Sequence, residues 1–181
     1  MSSSPFLVEW IERIARDGRG ERRALDVAMG RGRYAVMLAR AGFRTFGVDI
    51  MADAVHDANV RATSAGVRVN GWCADLTRHP LPSARFDVVL VSRYLQRDLF
   101  PALRETVTRD GVVLYETFTT AQRAKGTGPR SPDHLLEPGE LLERFDGFDV
   151  LFYEEVTEPD AVARIAARKS HARVKPSALR D

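Results

Sequence analysis

The amino-acid sequence predicts an α/β protein built on a doubly wound parallel sheet. Short apolar segments typical of strands alternate with amphipathic segments typical of helices, and most connections between them are short. Residues 86–91 form a nearly continuous apolar run, as expected for a central parallel strand that is buried on both faces. The turn after the first strand contains Gly30 and Gly32, which is typical of a strand–turn–helix unit that binds a ligand.

The composition is that of an ordinary globular protein with one domain. The chain has 181 residues, of which 44% are hydrophobic and 29% charged, and its formal net charge is +2. Charges of both signs are interspersed, so no field favours nucleic acid or a membrane surface. The N-terminal residues do not resemble a secretory signal, and no apolar stretch approaches membrane-spanning length. We therefore expect a cytoplasmic protein that binds neither nucleic acid nor a membrane.

Cysteine and histidine usage excludes two further classes of site. The single cysteine, Cys73, rules out an intrachain disulfide, and we expect it to be a small buried apolar residue. None of the histidines is paired with acids or cysteines at metal-ligand spacing, so no metal site is predicted.

The first predicted element is an amphipathic helix that begins at Pro5, with Ser4 as its N-cap, and ends near residues 17–20. Its apolar residues recur at helical spacing; they are Leu7, Trp10, Ile11 and Ile14. This face is expected to pack on the main body, over a ligand site or merely over an edge or face of the sheet.

Strands and helices then alternate along the chain. Strands are expected at residues 24–28, 44–48, 67–73, 86–91, 112–116, 148–156 and 161–168. Helices are expected at residues 34–40, 52–65 and 138–145, and another helix carries Leu103 and Val107. Residues 119–134 lack apolar periodicity and are predicted to be a functional or a disordered loop.

This order of elements predicts one domain with two terminal additions. Residues 1–20 are expected to be a helix packed on the domain, residues 21–169 the domain itself, and residues 170–181 a flexible tail.

Three acids lie where ligands of open α/β sheets bind, near the carboxyl ends of strands. Asp26 lies inside the first strand, where a buried carboxylate needs a partner. A pyrophosphate is a poor neighbour for it, whereas the cationic amino-acid end of a methyl donor is a good one. Asp49 and Asp75 end the second and third strands. Local explanations also exist: a turn cap for Asp26, the helix dipole for Asp49 and a turn for Asp75.

The segment around these acids resembles the class I S-adenosylmethionine-dependent methyltransferases. The acidic-x-Gly-x-Gly-x-Gly signature of that family corresponds to residues 26–32, with Ala28 in place of the first glycine. Residues 24–169 are similar to the family, particularly to the branch named for tellurite resistance and other small-molecule methyltransferases. The resemblance implies a single Rossmann-like, mostly parallel seven-stranded sheet with an antiparallel last strand and helices on both faces.

The resemblance also implies S-adenosylmethionine as the cofactor. Asp49 matches the acid that binds the ribose hydroxyls, Ile50 packs near the adenine, and Asp75 with Leu76 reads the adenine edge. The implied cofactor-binding residues are Asp26, Ala28, Gly30, Gly32, Arg33, Asp49, Ile50, Asp75, Leu76 and Ser92. Arg31 and Arg33 either steer the carboxylate of the donor or point at solvent.

Candidate catalytic residues follow the fourth and fifth strands; they are Ser92, Arg93, Tyr94 and Glu116. Tyr94 either contacts the acceptor or belongs to the core, and Arg93 either contacts substrate or pairs with Glu116. No catalytic histidine is evident, but a soft sulfur, selenium or tellurium anion needs no general base. The Asn/Asp-Pro-Pro-aromatic turn of nucleic-acid amino methyltransferases is missing after the fourth strand.

The sequence therefore predicts methyl transfer to a small molecule by a monomer or homodimer. One alternative is a module that binds S-adenosylmethionine without turning it over. Another is an NAD(P)-binding oxidoreductase, because residues 30–35 also fit the G-x-G-x-x-G/A dinucleotide pattern.

Overall fold

Seven strands and five α-helices make up the computed structural model, which describes residues 3–18 and 20–170. The strands are β1 (Arg23–Val27), β2 (Arg44–Asp49), β3 (Val69–Cys73), β4 (Phe86–Ser92), β5 (Val107–Phe118), β6 (Asp149–Val156) and β7 (Val162–Arg168). The helices are α1 (Pro5–Asp17), α2 (Arg33–Arg40), α3 (Ala52–Ser64), α4 (Phe100–Thr106) and α5 (Glu140–Arg144). None of the helices in this part of the chain is long and apolar enough to cross a membrane.

The strands form one seven-stranded sheet in the order β3-β2-β1-β4-β5-β7-β6. Strands β1 to β5 are mutually parallel, whereas β7 is antiparallel to both β5 and β6. The predicted Rossmann-like, mostly parallel sheet with an antiparallel last strand is confirmed. Because β1 and β4 are central neighbours, the carboxyl ends of β1, β2 and β4 meet at one edge of the sheet.

Helices cover both faces of the sheet. On one face, α1 and α2 bury an apolar cluster that includes Trp10, Leu38, Leu90 and Leu114. On the other face, α4 and α5 pack with β1, β4 and β5 in a larger cluster that includes Phe145. Successive strand residues alternate between these faces, so Asp26 lies on the α1–α2 face together with its neighbours Ala24 and Leu90.

The fifth strand begins earlier than the sequence indicated. Val107 was expected on the preceding helix, but it is the first residue of β5 and pairs with Phe86. The register then shifts, and Val88 pairs with Val112. Asp110 adopts a φ of 63° at this irregularity. Leu103 and Val107 suit a helix by their spacing, but a buried strand end accepts Val107 equally well.

The long segment 119–134 is folded against the domain. It contains two short 3₁₀-helices, Thr120–Lys125 and Pro132–His134. The buried side chain of Gln122 accepts a hydrogen bond from the Ala161 backbone N–H at 2.6 Å and donates one to the Thr127 carbonyl at 3.1 Å. These contacts tie the segment to the connection that precedes β7.

Two further expectations concern the chain ends and the cysteine. The predicted flexible tail lies, apart from Ser170, outside the described residues. Cys73 was expected to be buried, and this was wrong: it is exposed, and its Sγ–H donates to the carbonyl of Ile50 at 3.2 Å. It ends an edge strand, where the apolar alternation stops.

Candidate functional site

The turn that joins β1 to α2 has three residues in the left-handed region of φ. Ala28 and Gly30 both have a φ of 52°, and Gly32 has a φ of 71°. A side chain on Gly32 would also collide with Ala58 of α3, since its Cβ would lie 2.6 Å from that of Ala58. Ala28 adopts a conformation that suits glycine better, so a backbone strain accompanies the missing first glycine of the signature.

A buried methionine that was not among the predicted site residues anchors this turn. Met29 donates its backbone N–H to the Val48 carbonyl at 3.0 Å, and its side chain is only 7% exposed. The space for that side chain exists because β2 and β3 carry Gly47 and Gly71 beside it, where any Cβ would crowd Met29. The two strand glycines were the signal that could have revealed it.

A cavity of about 380 Å³ opens beside the turn on the α1–α2 face. It brings together six of the predicted residues, Asp26, Ala28, Gly30, Arg33, Ser92 and Arg93. Tyr34 and Arg61, which no sequence motif indicated, also line it. Arg31 lies at the rim, where it is 77% exposed and forms an ion pair with Asp57 at 3.2 Å.

The carboxyl group of Asp26 forms the buried end of this cavity. Asp26 is 2% exposed, and its Oδ2 is the one buried side-chain nitrogen or oxygen without a hydrogen-bond partner among the described residues. Burial raises the pKa of Asp26 to about 8, and the negative charge of Asp49 adds to this, while a backbone hydrogen bond from Ala35 opposes it. The site therefore holds a buried acid with one free oxygen, as a cationic ligand requires.

A second cavity of about 400 Å³ lies across the turn, between the ends of β2, β3 and β4. Ala28 and Arg93 line both cavities, so the two are adjacent. The remaining lining is more apolar and contains the other predicted residues Asp49, Ile50, Asp75, Leu76 and Tyr94, together with Val48, Ala74, Thr77 and Gln96, which the sequence analysis did not assign.

Asp49 joins the turn to the start of α3. Its Oδ2 accepts the Gly30 backbone N–H at 2.8 Å, and its Oδ1 accepts the Met51 backbone N–H at 2.9 Å. Each carboxylate oxygen keeps a second lone pair that a hydroxyl group can use. Ile50, next along the chain, is 62% exposed, which is unusual for a large apolar residue and leaves its side chain available to a flat ligand.

Asp75 is engaged in its own turn. Its Oδ1 accepts the backbone N–H of Thr77 at 2.9 Å and the hydroxyl of Thr77 at 2.6 Å. The hydroxyl and then the backbone hydrogen bond hold the pKa of Asp75 below its usual range. This arrangement fits the local-turn explanation, although Asp75 also lines the second cavity.

The two residues that follow β4, Arg93 and Tyr94, contact different groups. Tyr94 lines the second cavity and donates its hydroxyl to Gln96, and its pKa is raised by burial and then by Asp75 and Asp49. Arg93 has a φ of 55° and does not pair with the carboxylate of Glu116; its Nη2 lies 2.8 Å from Oδ2 of Asp160.

Glu116 lines neither cavity. It is 3% exposed, and its Oε2 accepts hydrogen bonds from Arg164 Nε and from the Ser4 hydroxyl, both at 2.7 Å. Ser4 also donates its backbone N–H to the Tyr34 hydroxyl at 2.8 Å. Glu116 therefore ties the start of α1 to the sheet next to the first cavity, and its carboxylate is occupied by these contacts.

Metal ligands are not assembled in the described ranges 3–18 and 20–170. No group of three or more His, Cys, Asp or Glu residues there is arranged to hold an ion.

Part of the chain is similar to known methyltransferases. Residues 24–110 match a family model described as "Methyltransferase domain". A putative methyltransferase from Geobacillus sp. (strain WCH70) is 30% identical over 111 residues, which cover 56% of this chain and 44% of that protein. The chain thus spans less than half the length of this curated relative.

Solved structures of methyltransferases share the fold. TehB from Haemophilus influenzae superposes with a TM-score of 0.71 at 16% identity, over 89% of this chain and 62% of TehB. An S-adenosylmethionine-dependent methyltransferase from Mesorhizobium loti superposes with a TM-score of 0.69 at 20% identity, over 89% of this chain and 97% of the other. These superpositions show that the chain has the fold that the expected resemblance implies.

Proposed function

We propose that this chain, whose residues 24–110 match a methyltransferase-domain family model, transfers the methyl group of S-adenosylmethionine to a small-molecule acceptor. In this proposal residues 21–169 carry the activity, and residues 1–20 supply the helix packed on them. The protein acts in the cytoplasm as a monomer or homodimer, without binding nucleic acid or a membrane.

The partnerless Oδ2 of Asp26 is the observation that carries the proposal. A buried acid with a free oxygen is costly unless a ligand completes its contacts. The α-ammonium group of S-adenosylmethionine is such a ligand, since it brings hydrogen-bond donors and a positive charge. The phosphates of a dinucleotide bring neither, which is why a nicotinamide cofactor fits the first cavity poorly.

The other cofactor contacts follow from the two cavities. Gly30 and Ser92 line the first cavity with Asp26, and Arg33 is the cation assigned to the carboxylate of the donor. In the second cavity, Asp49 is assigned to the ribose hydroxyls, and Ile50, Asp75 and Leu76 to the adenine ring. Gly32 acts indirectly, because its missing Cβ allows the turn to approach α3.

Methyl transfer requires little of the protein beyond aligning the donor with the acceptor. S-adenosylmethionine supplies a methyl group on a positively charged sulfur, which is already activated for displacement. The chain contributes a cavity that positions the acceptor and excludes water. Because the candidate acid Glu116 is held by Arg164 and Ser4, we infer an acceptor that needs no general base, such as a thiolate, a selenide or a reduced tellurium anion.

Ligand-binding calorimetry tests the cofactor assignment directly. We expect S-adenosylhomocysteine to bind and to raise the melting temperature, whereas NAD⁺ and NADP⁺ do neither. Stabilisation by a nicotinamide nucleotide alone would overturn the proposal. Methyl transfer to thiol, selenium and tellurium acceptors, followed by mass spectrometry, tests the activity; donor binding without turnover on any of them favours a binding module.

A further inference from the structure

Arg93 occupies the boundary between the two cavities. It follows Ser92 at the end of β4 and, apart from Ala28, is the residue that lines both cavities. Its backbone is in the left-handed region with a φ of 55°, and its N–H donates to the Glu116 carbonyl at 2.8 Å. An arginine at such a φ is strained, and residues of this kind concentrate at functional sites.

Residues at the end of β5 and just before β7 hold the guanidinium of Arg93 in place. Its Nη2 lies 2.8 Å from Oδ2 of Asp160, and its centre lies 5.0 Å from the centre of the Phe118 ring. The other oxygen of Asp160 lies 3.5 Å from Nε2 of the buried Gln122. The side chain of Arg93 nevertheless remains 34% exposed, so its charge is fixed in position but reachable from solvent.

Arginines outnumber acids in the lining of the first cavity. Its charged lining consists of one acid, Asp26, and the arginines Arg31, Arg33, Arg61 and Arg93. The positive sulfur of the donor adds to the same sign. The ammonium of the donor is assigned to Asp26, whereas an acceptor approaches the positive sulfur beside Arg93, where an anionic group is favoured over a cationic one.

We propose that Arg93 orients the methyl acceptor and selects acceptors that carry an anionic group, with Asp160 holding its guanidinium in place. This inference rests on the proposed function and names the class of acceptor for that site. The acceptor's lone pair forms the bond to the methyl carbon, the carbon–sulfur bond breaks, and its electron pair stays on sulfur. Charge is neutralised in this step, and an anionic nucleophile needs no proton transfer.

A matched set of three thiols tests the charge preference. 3-Mercaptopropionate, 3-mercapto-1-propanol and 3-aminopropane-1-thiol differ in the charge of one end. Each is titrated into protein saturated with S-adenosylhomocysteine, and methyl transfer to each is measured separately. We expect the propionate to bind at least about tenfold more tightly than the neutral thiol, and the amine to bind most weakly.

Three variants test whether Arg93 causes the preference. Arg93→Gln is expected to bring the affinity of the propionate close to that of the neutral thiol, whereas Arg93→Lys retains a preference for the anion. Arg109→Gln removes the same charge from an exposed position at the opposite edge of the sheet and is expected to leave the preference intact. Binding of S-adenosylhomocysteine is measured first for every variant.

The possible results separate the two proposals. Equal binding of the three thiols, tighter binding of the amine, no binding of any thiol, or an unchanged preference in Arg93→Gln overturns the role of Arg93. In each of these cases, binding of S-adenosylhomocysteine leaves the proposed donor site standing. Failure of the wild-type protein to bind S-adenosylhomocysteine overturns the proposed function itself.

Discussion

The two cavities differ in how their acids are satisfied. In the first cavity, Asp26 is almost fully buried and one of its oxygens has no partner. In the second cavity, Asp49 accepts backbone N–H groups of Gly30 and Met51 with both oxygens, and Asp75 accepts two hydrogen bonds from Thr77. Asp26 therefore keeps an oxygen that a ligand can use, whereas Asp49 and Asp75 already accept hydrogen bonds from the protein itself.

The difference follows from where each acid lies on its strand. Asp26 is inside β1, where the neighbouring backbone groups are used by β2 and β4. Asp49 ends β2, and Asp75 follows β3, so unpaired backbone N–H groups of the next loop lie within reach. The position of Asp26 inside a strand therefore explains why it lacks the local hydrogen-bond donors that satisfy Asp49 and Asp75.

The largest expected effect comes from Asp26→Asn. This change removes the charge that pairs with the donor's ammonium, and we expect affinity for S-adenosylhomocysteine to fall at least about a hundredfold. The free protein should fold and be no less stable, because a buried ionisable group has been removed. Calorimetric titration and thermal unfolding measure both effects.

Asp75→Asn is the matched control for Asp26→Asn. It makes the same chemical change at a partly exposed acid that is satisfied by Thr77, and we expect a much smaller loss of affinity. Equal losses in the two variants would contradict the contrast between the cavities.

The stability of the wild-type protein and its affinity for the donor should change with pH in opposite directions. The pKa of Asp26 is about 8 in the folded chain and 3.8 in its ordinary state, so the folded chain holds the extra proton between these values. The free energy of unfolding should therefore decline as pH rises from about 4 to about 8. The donor's ammonium pairs with the ionised form, so affinity should rise about tenfold per pH unit below about 8 and then level off.

Titrations and thermal melts between about pH 6 and about pH 9 check these slopes. Asp26→Asn should lack the decline in stability that the wild type shows in that interval. A donor affinity that does not change with pH would mean that Asp26 enters the complex without losing a proton.

Asp49→Ala should act on stability as well as on binding. It leaves the backbone N–H groups of Gly30 and Met51 without their acceptor, which we expect to cost about 1–3 kcal/mol of unfolding free energy. Chemical denaturation of the ligand-free protein measures this cost. If Asp49→Ala weakens donor binding without lowering stability, Asp49 contributes to ligand binding alone, as Asp26 does, and not to the stability of the fold.

The smallest effect is expected at Ala28, which the two cavities share. Ala28→Gly relieves the strain of a φ of 52° but increases the flexibility of the unfolded chain. The two terms oppose each other, and we expect a change in unfolding free energy of less than about 1 kcal/mol. A loss of more than that in thermal unfolding would show that the methyl group of Ala28 packs the turn.

The sequence predicted most of the sheet because its strands are short apolar runs with clear ends. The start of β5 was missed, since the helical spacing of Leu103 and Val107 continues into a strand without a sequence signal. The turn at 28–32 and its acids could be found because glycine spacing and an acid in an apolar strand are local features.

Contacts between distant parts of the chain decided the rest of the site. The pairing of Glu116 with Arg164 and Ser4 removed a candidate catalytic acid, and the pairing of Arg93 with Asp160 placed a cation between the cavities. These partners lie 48, 112 and 67 residues apart in sequence. The sequence by itself determined the sheet, the glycine turn and the acids beside it, because those depend on local spacing and burial. Only the tertiary structure decided which charged groups neutralise one another, because that depends on which strand ends the fold brings together.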